Sequence, residues 1–90
     1  MKIPVYHLTF NSSGIQTINF NRDLHSMLVK NLTDDKILFS WGNQIDPLEY
    51  VIIPPDMGEL IEYCEITHGN INATVQSLGT GTVEFRVIDD

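Results

Sequence analysis

Ninety residues carry twelve acidic and five basic side chains, a formal charge of −7. The basic residues, at positions 2, 22, 30, 36 and 86, form no stripe able to displace phosphate counterions, which argues against nucleic acid as a partner. A single cysteine, Cys64, excludes an internal disulfide and a paired-cysteine metal site. The length suits one domain over residues 1–90 that buries about 60–65% of its extended-chain surface.

Residues 2–10 are rich in β-formers, and Ile3, Val5, Tyr6, Leu8 and Phe10 make both faces of the segment apolar. Pro4 cannot donate to a ladder, so this segment reads as an edge strand or an inter-subunit arm. Those five apolar residues are the expected interface. The segment also lacks an apolar run long enough for a secretory signal, and nothing in the chain reaches the length of a membrane span. Asn11, Ser12, Ser13 and Gly14 are turn residues that bond their own backbone. A strand over 15–21 follows, with neither face purely apolar.

Residues 26–32 and 37–41 read as a second hairpin, turned by Thr33, Asp34, Asp35 and Lys36. Met27 and Val29 face away from Leu28 and Lys30, while Ile37, Phe39 and Trp41 share one face. A polar loop over 42–47 leads into a strand over 48–53, which Pro54 and Pro55 end because neither has an N–H to donate. Residues 56–67 are open to two readings. A helix would use Asp56 as N-cap and Glu59 as its capping-box partner. Gly58 is unfavourable in a first helical turn, which favours a strand beginning near Glu59.

The last stretch, 71–88, alternates twice: Ile71, Ala73 and Val75 on one arm, and Val83, Phe85 and Val87 on the other. Gly79, Thr80 and Gly81 read as a three-residue hairpin turn that sets Val75 opposite Phe85. Seven to eight short strands at this spacing predict an all-β domain, a small antiparallel β-sandwich or jelly roll. Small unstapled domains of this kind often gain stability by self-association.

Catalytic and metal-binding chemistry finds little support. His7, His25 and His68 lie on separate segments without ligand spacing, and Cys64 fits a small core position better than a nucleophile. Asp56, Glu59, Glu62 and Glu65 read as a solvated acidic face, and no EF-hand spacing follows Asp34, Asp35 or Asp46. The sequons at Asn11, Asn31 and Asn72 read as chance in an Asn- and Thr-rich chain. Trp41, Tyr50 and Tyr63 are candidate stacking rings for a sugar, which makes a carbohydrate-binding module the alternative function.

A resemblance rests on the order of features from about residue 24 onwards. Lys30-Asn31-Leu32 precedes an acidic turn, and Phe39 to Trp41 forms an aromatic strand. Ile53-Pro54-Pro55 then comes with Gly58 and Glu59, and a Gly-Thr-Gly stretch lies between Val75 and Val87. In this order the chain resembles the small β-domains of tailed-bacteriophage virion proteins, found as capsid decoration, head fibre and tail or baseplate accessory proteins. The resemblance implies a non-enzymatic, homo-oligomeric subunit of the particle, made in the host cytoplasm, that binds other virion proteins and uses no cofactor. It carries no functional residues over, because such domains act through surfaces.

No structural metal is expected. A thermal melt with and without EDTA checks this: the midpoint should not move, and a fall would establish a metal site.

Overall fold

Eight strands form in the computed structural model, which describes residues 4–20, 22, 24–67 and 71–88, and the backbone alone of residues 24, 25 and 63–67. They are β1 (Val5–Phe10), β2 (Gly14–Asn19), β3 (Leu24–Thr33), β4 (Ile37–Trp41), β5 (Val51–Ile53), β6 (Gly58–Thr67), β7 (Asn72–Ser77) and β8 (Gly81–Val87). Two four-stranded antiparallel sheets result, ordered β1-β8-β3-β6 and β2-β7-β4-β5. The chain is an all-β sandwich. Its pairings nest, with β1 on β8, β2 on β7, β3 on β6 and β4 on β5. One long antiparallel ribbon has been rolled so that successive pairs alternate between the sheets, which is jelly-roll winding.

Both predicted hairpins are therefore corrected. β7 and β8 belong to different sheets, as do β3 and β4. Val75 pairs with Gln16 and Phe39, and Phe85 pairs with Tyr6 and Val29. The turn residues make corners between the sheets, and the ladders run on through them. Val5 lies opposite Arg86 and Gly14 opposite Ser77, so the register of β1 on β8 continues unchanged as that of β2 on β7. At the next corner, Asp34 N donates to Thr80 O at 3.0 Å and Leu78 N to Lys36 O at 3.5 Å.

Glycine at this corner answers to close approach. A Cβ on Gly79 would overlap Asp34 Oδ1 and come within 2.9 Å of Asp35 Cβ. Gly81 has φ +133° and would bring a Cβ to 2.7 Å from the Leu32 carbonyl oxygen. In that region L-residues are strained, so Gly81 has no easy substitute.

A buried asparagine fastens the neighbouring corner. Asn31 Nδ2 donates to the carbonyls of Asp35 at 2.8 Å and Ile53 at 2.9 Å, and its Oδ1 accepts from Thr33 N at 2.9 Å. The Thr33 hydroxyl lies 2.6 Å from Asn31 Oδ1 and 2.7 Å from the Asp35 carbonyl. On the main chain, Asn31 N donates to Met57 O and Asp56 N to Asn31 O. Asp56 takes φ 63°, which aspartate tolerates in a turn that Met57 N closes on Pro54 O at 3.3 Å. Residues 58–67 are then strand, so the strand reading of 56–67 holds from Gly58 onwards and the helix does not form.

Alternation fills the core as expected: Met27, Val29, Ile37, Phe39, Val75, Val83 and Phe85 are buried. Phe20 joins Tyr6, Phe85 and Trp41 edge-on at centroid distances of 5.1, 5.6 and 6.4 Å, spacings at which aromatic pairs attract. Within the strand predicted over 48–53, only Val51–Ile53 pairs, because Leu48 N bonds Asp46 Oδ1 in the preceding loop.

Replacing Asn31 with Ala strands the buried groups it satisfies and should cost about 3 kcal/mol or more. Asn72→Ala, which removes one exposed bond to Asn19, should cost about 1 kcal/mol or less. Urea unfolding of both variants tests the contrast.

Candidate functional site

The two open sides of the sandwich differ. On the β1/β2 side, Tyr6 Oη donates to Phe20 O at 3.0 Å and Gln16 Nε2 to Thr9 O at 2.7 Å, so hydrogen bonds join one sheet to the other. On the β5/β6 side a strand of three residues faces one of ten, and the mismatch leaves a cavity of about 300 Å³. Phe39, Trp41, Val51 and Ile61 supply its apolar lining, with Ser40, Tyr50, Asp46, Glu49 and Glu62 completing it.

The loop between β4 and β5 is folded to bring these groups in. Ser40 Oγ accepts from Asp46 N at 3.0 Å and sits 3.2 Å from the Glu49 carbonyl. Glu49 N donates to Asp46 O, and Thr74 Oγ1 reaches Gly42 O at 2.8 Å. Asp46 thus spends one carboxylate oxygen on its own turn, at Leu48 N. Among the described residues no salt bridge joins Asp46, Glu49 or Glu62 to a basic side chain. Among them also, no three His, Cys, Asp or Glu side chains gather closely enough to hold a metal ion.

Of the candidate stacking rings, Trp41 and Tyr50 meet in this cavity. Trp41 is half-buried and packs on Phe39 at 5.1 Å, whereas Tyr50 is exposed. The backbone of Tyr63 lies on β6, and its side chain is outside the described residues. Glu49 was missed by the sequence reading. Its position beside Tyr50 became meaningful only once residues 48–50 proved to be loop.

The amino-terminal interface residues divide. β1 is an edge strand paired to β8 alone. Phe10 is core, and Tyr6 and Leu8 are half-buried against that core. Alternation turns these three side chains towards their own domain. Val5 faces out at 39% exposure, and Ile3 lies outside the described residues.

A second surface feature was not anticipated. On the outer face of the second sheet, Ile15 lies opposite Gln76, Gln76 opposite Leu38, and Leu38 opposite Ile52. Ile15 is 61% and Ile52 51% exposed, with Leu38 half-buried. The row crosses the sheet from edge to edge, apolar on β2, β4 and β5 and broken by Gln76 on β7. Beside it the face turns polar, with Thr17 and Thr74 hydroxyls 3.2 Å apart and Asn19 bonded to Asn72 at 2.7 Å. The signal in the sequence was an isoleucine at the wet position of each edge strand.

The first sheet presents charge instead. Arg86 Nε donates to Glu84 Oε2 at 2.7 Å, and His7 Nε2 lies 3.5 Å from Glu84 Oε1. Comparison with family models, curated proteins and solved structures gives no match for this chain.

The hydrogen bond from Arg86 holds the Glu84 carboxyl below its ordinary range, against the opposing effect of burial. A lowered folded pKa contributes stability that is full above the ordinary glutamate range and is lost as pH falls through the lowered value. Glu84→Gln should cost little at neutral pH, as surface ion pairs do. Its gap to wild type should close on acidification, which urea melts at stepped pH would reveal.

Proposed function

We propose that this protein is a non-enzymatic structural subunit of a tailed-phage particle, a capsid decoration or head/tail accessory protein that works through protein contacts. The jelly roll is shared by viral capsid domains and by lectins, so fold alone favours neither the virion reading nor a carbohydrate-binding one. The stripe of Ile15, Leu38 and Ile52 carries the choice. Single exposed apolar residues are ordinary, but three in one cross-strand row, interrupted only by Gln76 and rimmed by polar side chains, suit a surface that another protein covers. A monomeric sugar-binding module has no use for such a row on its broad face.

The carbohydrate reading has one observation of its own, the shared cavity of Trp41 and Tyr50. It requires a soluble monomer that binds glycans, and the two readings part on association.

Sedimentation velocity across the micromolar range should find wild type multimeric. The double variant Ile15→Glu, Ile52→Glu should sediment as a folded monomer with an unchanged circular dichroism spectrum. A wild-type chain that is monomeric throughout and does not bind phage particles would sink the proposal.

A further inference from the structure

We propose that the cavity between β5 and β6 takes an arginine side chain from a partner protein. At about 300 Å³ it stands at the small end of ligand pockets, a size suited to one long side chain and not to a folded segment. Its walls sort by chemistry. Phe39, Val51 and Ile61 offer apolar surface for a methylene stem, and the Trp41 and Tyr50 rings offer π-faces to a planar cation. Asp46, Glu49 and Glu62 supply the anionic groups, and among the described residues no lysine, arginine or histidine lines the cavity.

Charge and spacing together choose the occupant. A neutral saccharide would leave three carboxylates without a counter-charge, whereas a cation answers them directly. A divalent metal needs carboxylates converging on one point, and these three do not gather that closely. An extended cation with an apolar stem satisfies both conditions. Guanidinium is favoured over ammonium because it stacks on aromatic faces and pairs with carboxylates in two-pronged fashion. The chain's own charge of −7 draws a basic partner to the site. The inference is independent of the apolar stripe, since a monomeric chain would keep the cavity.

The test is a heteronuclear NMR titration of the whole chain with N-acetylarginine amide, and with N-acetylcitrulline amide as the uncharged isostere. The arginine compound should shift the amides of Ser40, Asp46, Tyr50, Ile61 and Glu62, and the citrulline compound should bind at least about tenfold more weakly, because charge-assisted bonds are lost. Tyr50→Ala and Glu62→Gln should each weaken binding about fivefold. Glu59→Gln, on the same strand outside the lining, should leave it unchanged and control for net charge. Equal response to both compounds, no localised shifts up to the solubility of the probe, or a response to maltotriose or chitotriose in place of arginine would each overturn the proposal.

Discussion

The amide of Asn31 is the contact on which the rest of the fold leans. Its side chain is fully buried, where an unsatisfied amide would cost several kcal/mol on the order of its lost hydration. Every polar atom it has is engaged, by the carbonyls of Asp35 and Ile53 and by Thr33. Ile53 ends a strand of the second sheet, while Asn31 belongs to the first. One side chain therefore sets where two crossings occur, that from β3 to β4 and that from β5 to β6. An apolar residue of similar size would pack, but it would leave those backbone groups without partners. The price of putting an amide in the core is a corner that can form in only one register.

Next to it, the crossing from β7 to β8 is fixed by backbone proximity. Asp34 accepts from Thr80 N at 2.8 Å through its side chain and donates to Thr80 O through its main chain. This two-way contact needs Gly79 and Gly81 to let the chains approach. With the corners registered side by side, the sandwich behaves as one ladder folded across a line of turns. The asymmetry of its sides then follows from strand length. β1 and β2 have six residues each and meet through Tyr6 and Gln16, whereas β5 stops after three and cannot close on β6. The cavity is a consequence of that shortfall.

Much of this was legible in the chain, and the limit has a physical form. Alternation named the inward residues correctly, Met27, Val29, Phe39, Phe85 and Val87 among them, because burial on one face imposes period 2 whichever strand lies alongside. Alternation says nothing about which strand that is. A hairpin and a corner between two sheets send the same residues inward, and glycine suits both, in one case for its φ and in the other for its missing Cβ. Val75 and Phe85 were thus rightly placed in the core and wrongly placed opposite each other. The helix-or-strand ambiguity of 56–67 turned on Gly58 and resolved as that residue indicated. The cavity was only half visible: Trp41 and Tyr50 stood out as rings. That Glu49 and Glu62 join them depends on the β4–β5 loop of one sheet meeting β6 of the other, which no local pattern encodes.

β5 joins the two surface features in a way that bears on how a partner would sit. Its three residues alternate, so Val51 lines the cavity, Ile52 ends the apolar stripe on the outer face, and Ile53 returns to the core beside Asn31. Stripe and cavity are therefore one residue apart on the same edge strand. A surface laid along Ile15, Leu38 and Ile52 runs off the sheet at the lip of the cavity, where a projecting basic side chain would find Tyr50, Glu49 and Glu62. The charged face of the first sheet, with Glu84 already paired to Arg86, points the opposite way and takes no part. The shortness of β5 is what allows this. A longer strand would hydrogen-bond across Ser40 and Trp41, displace the loop that carries Asp46 and Glu49, and separate the band from any pocket.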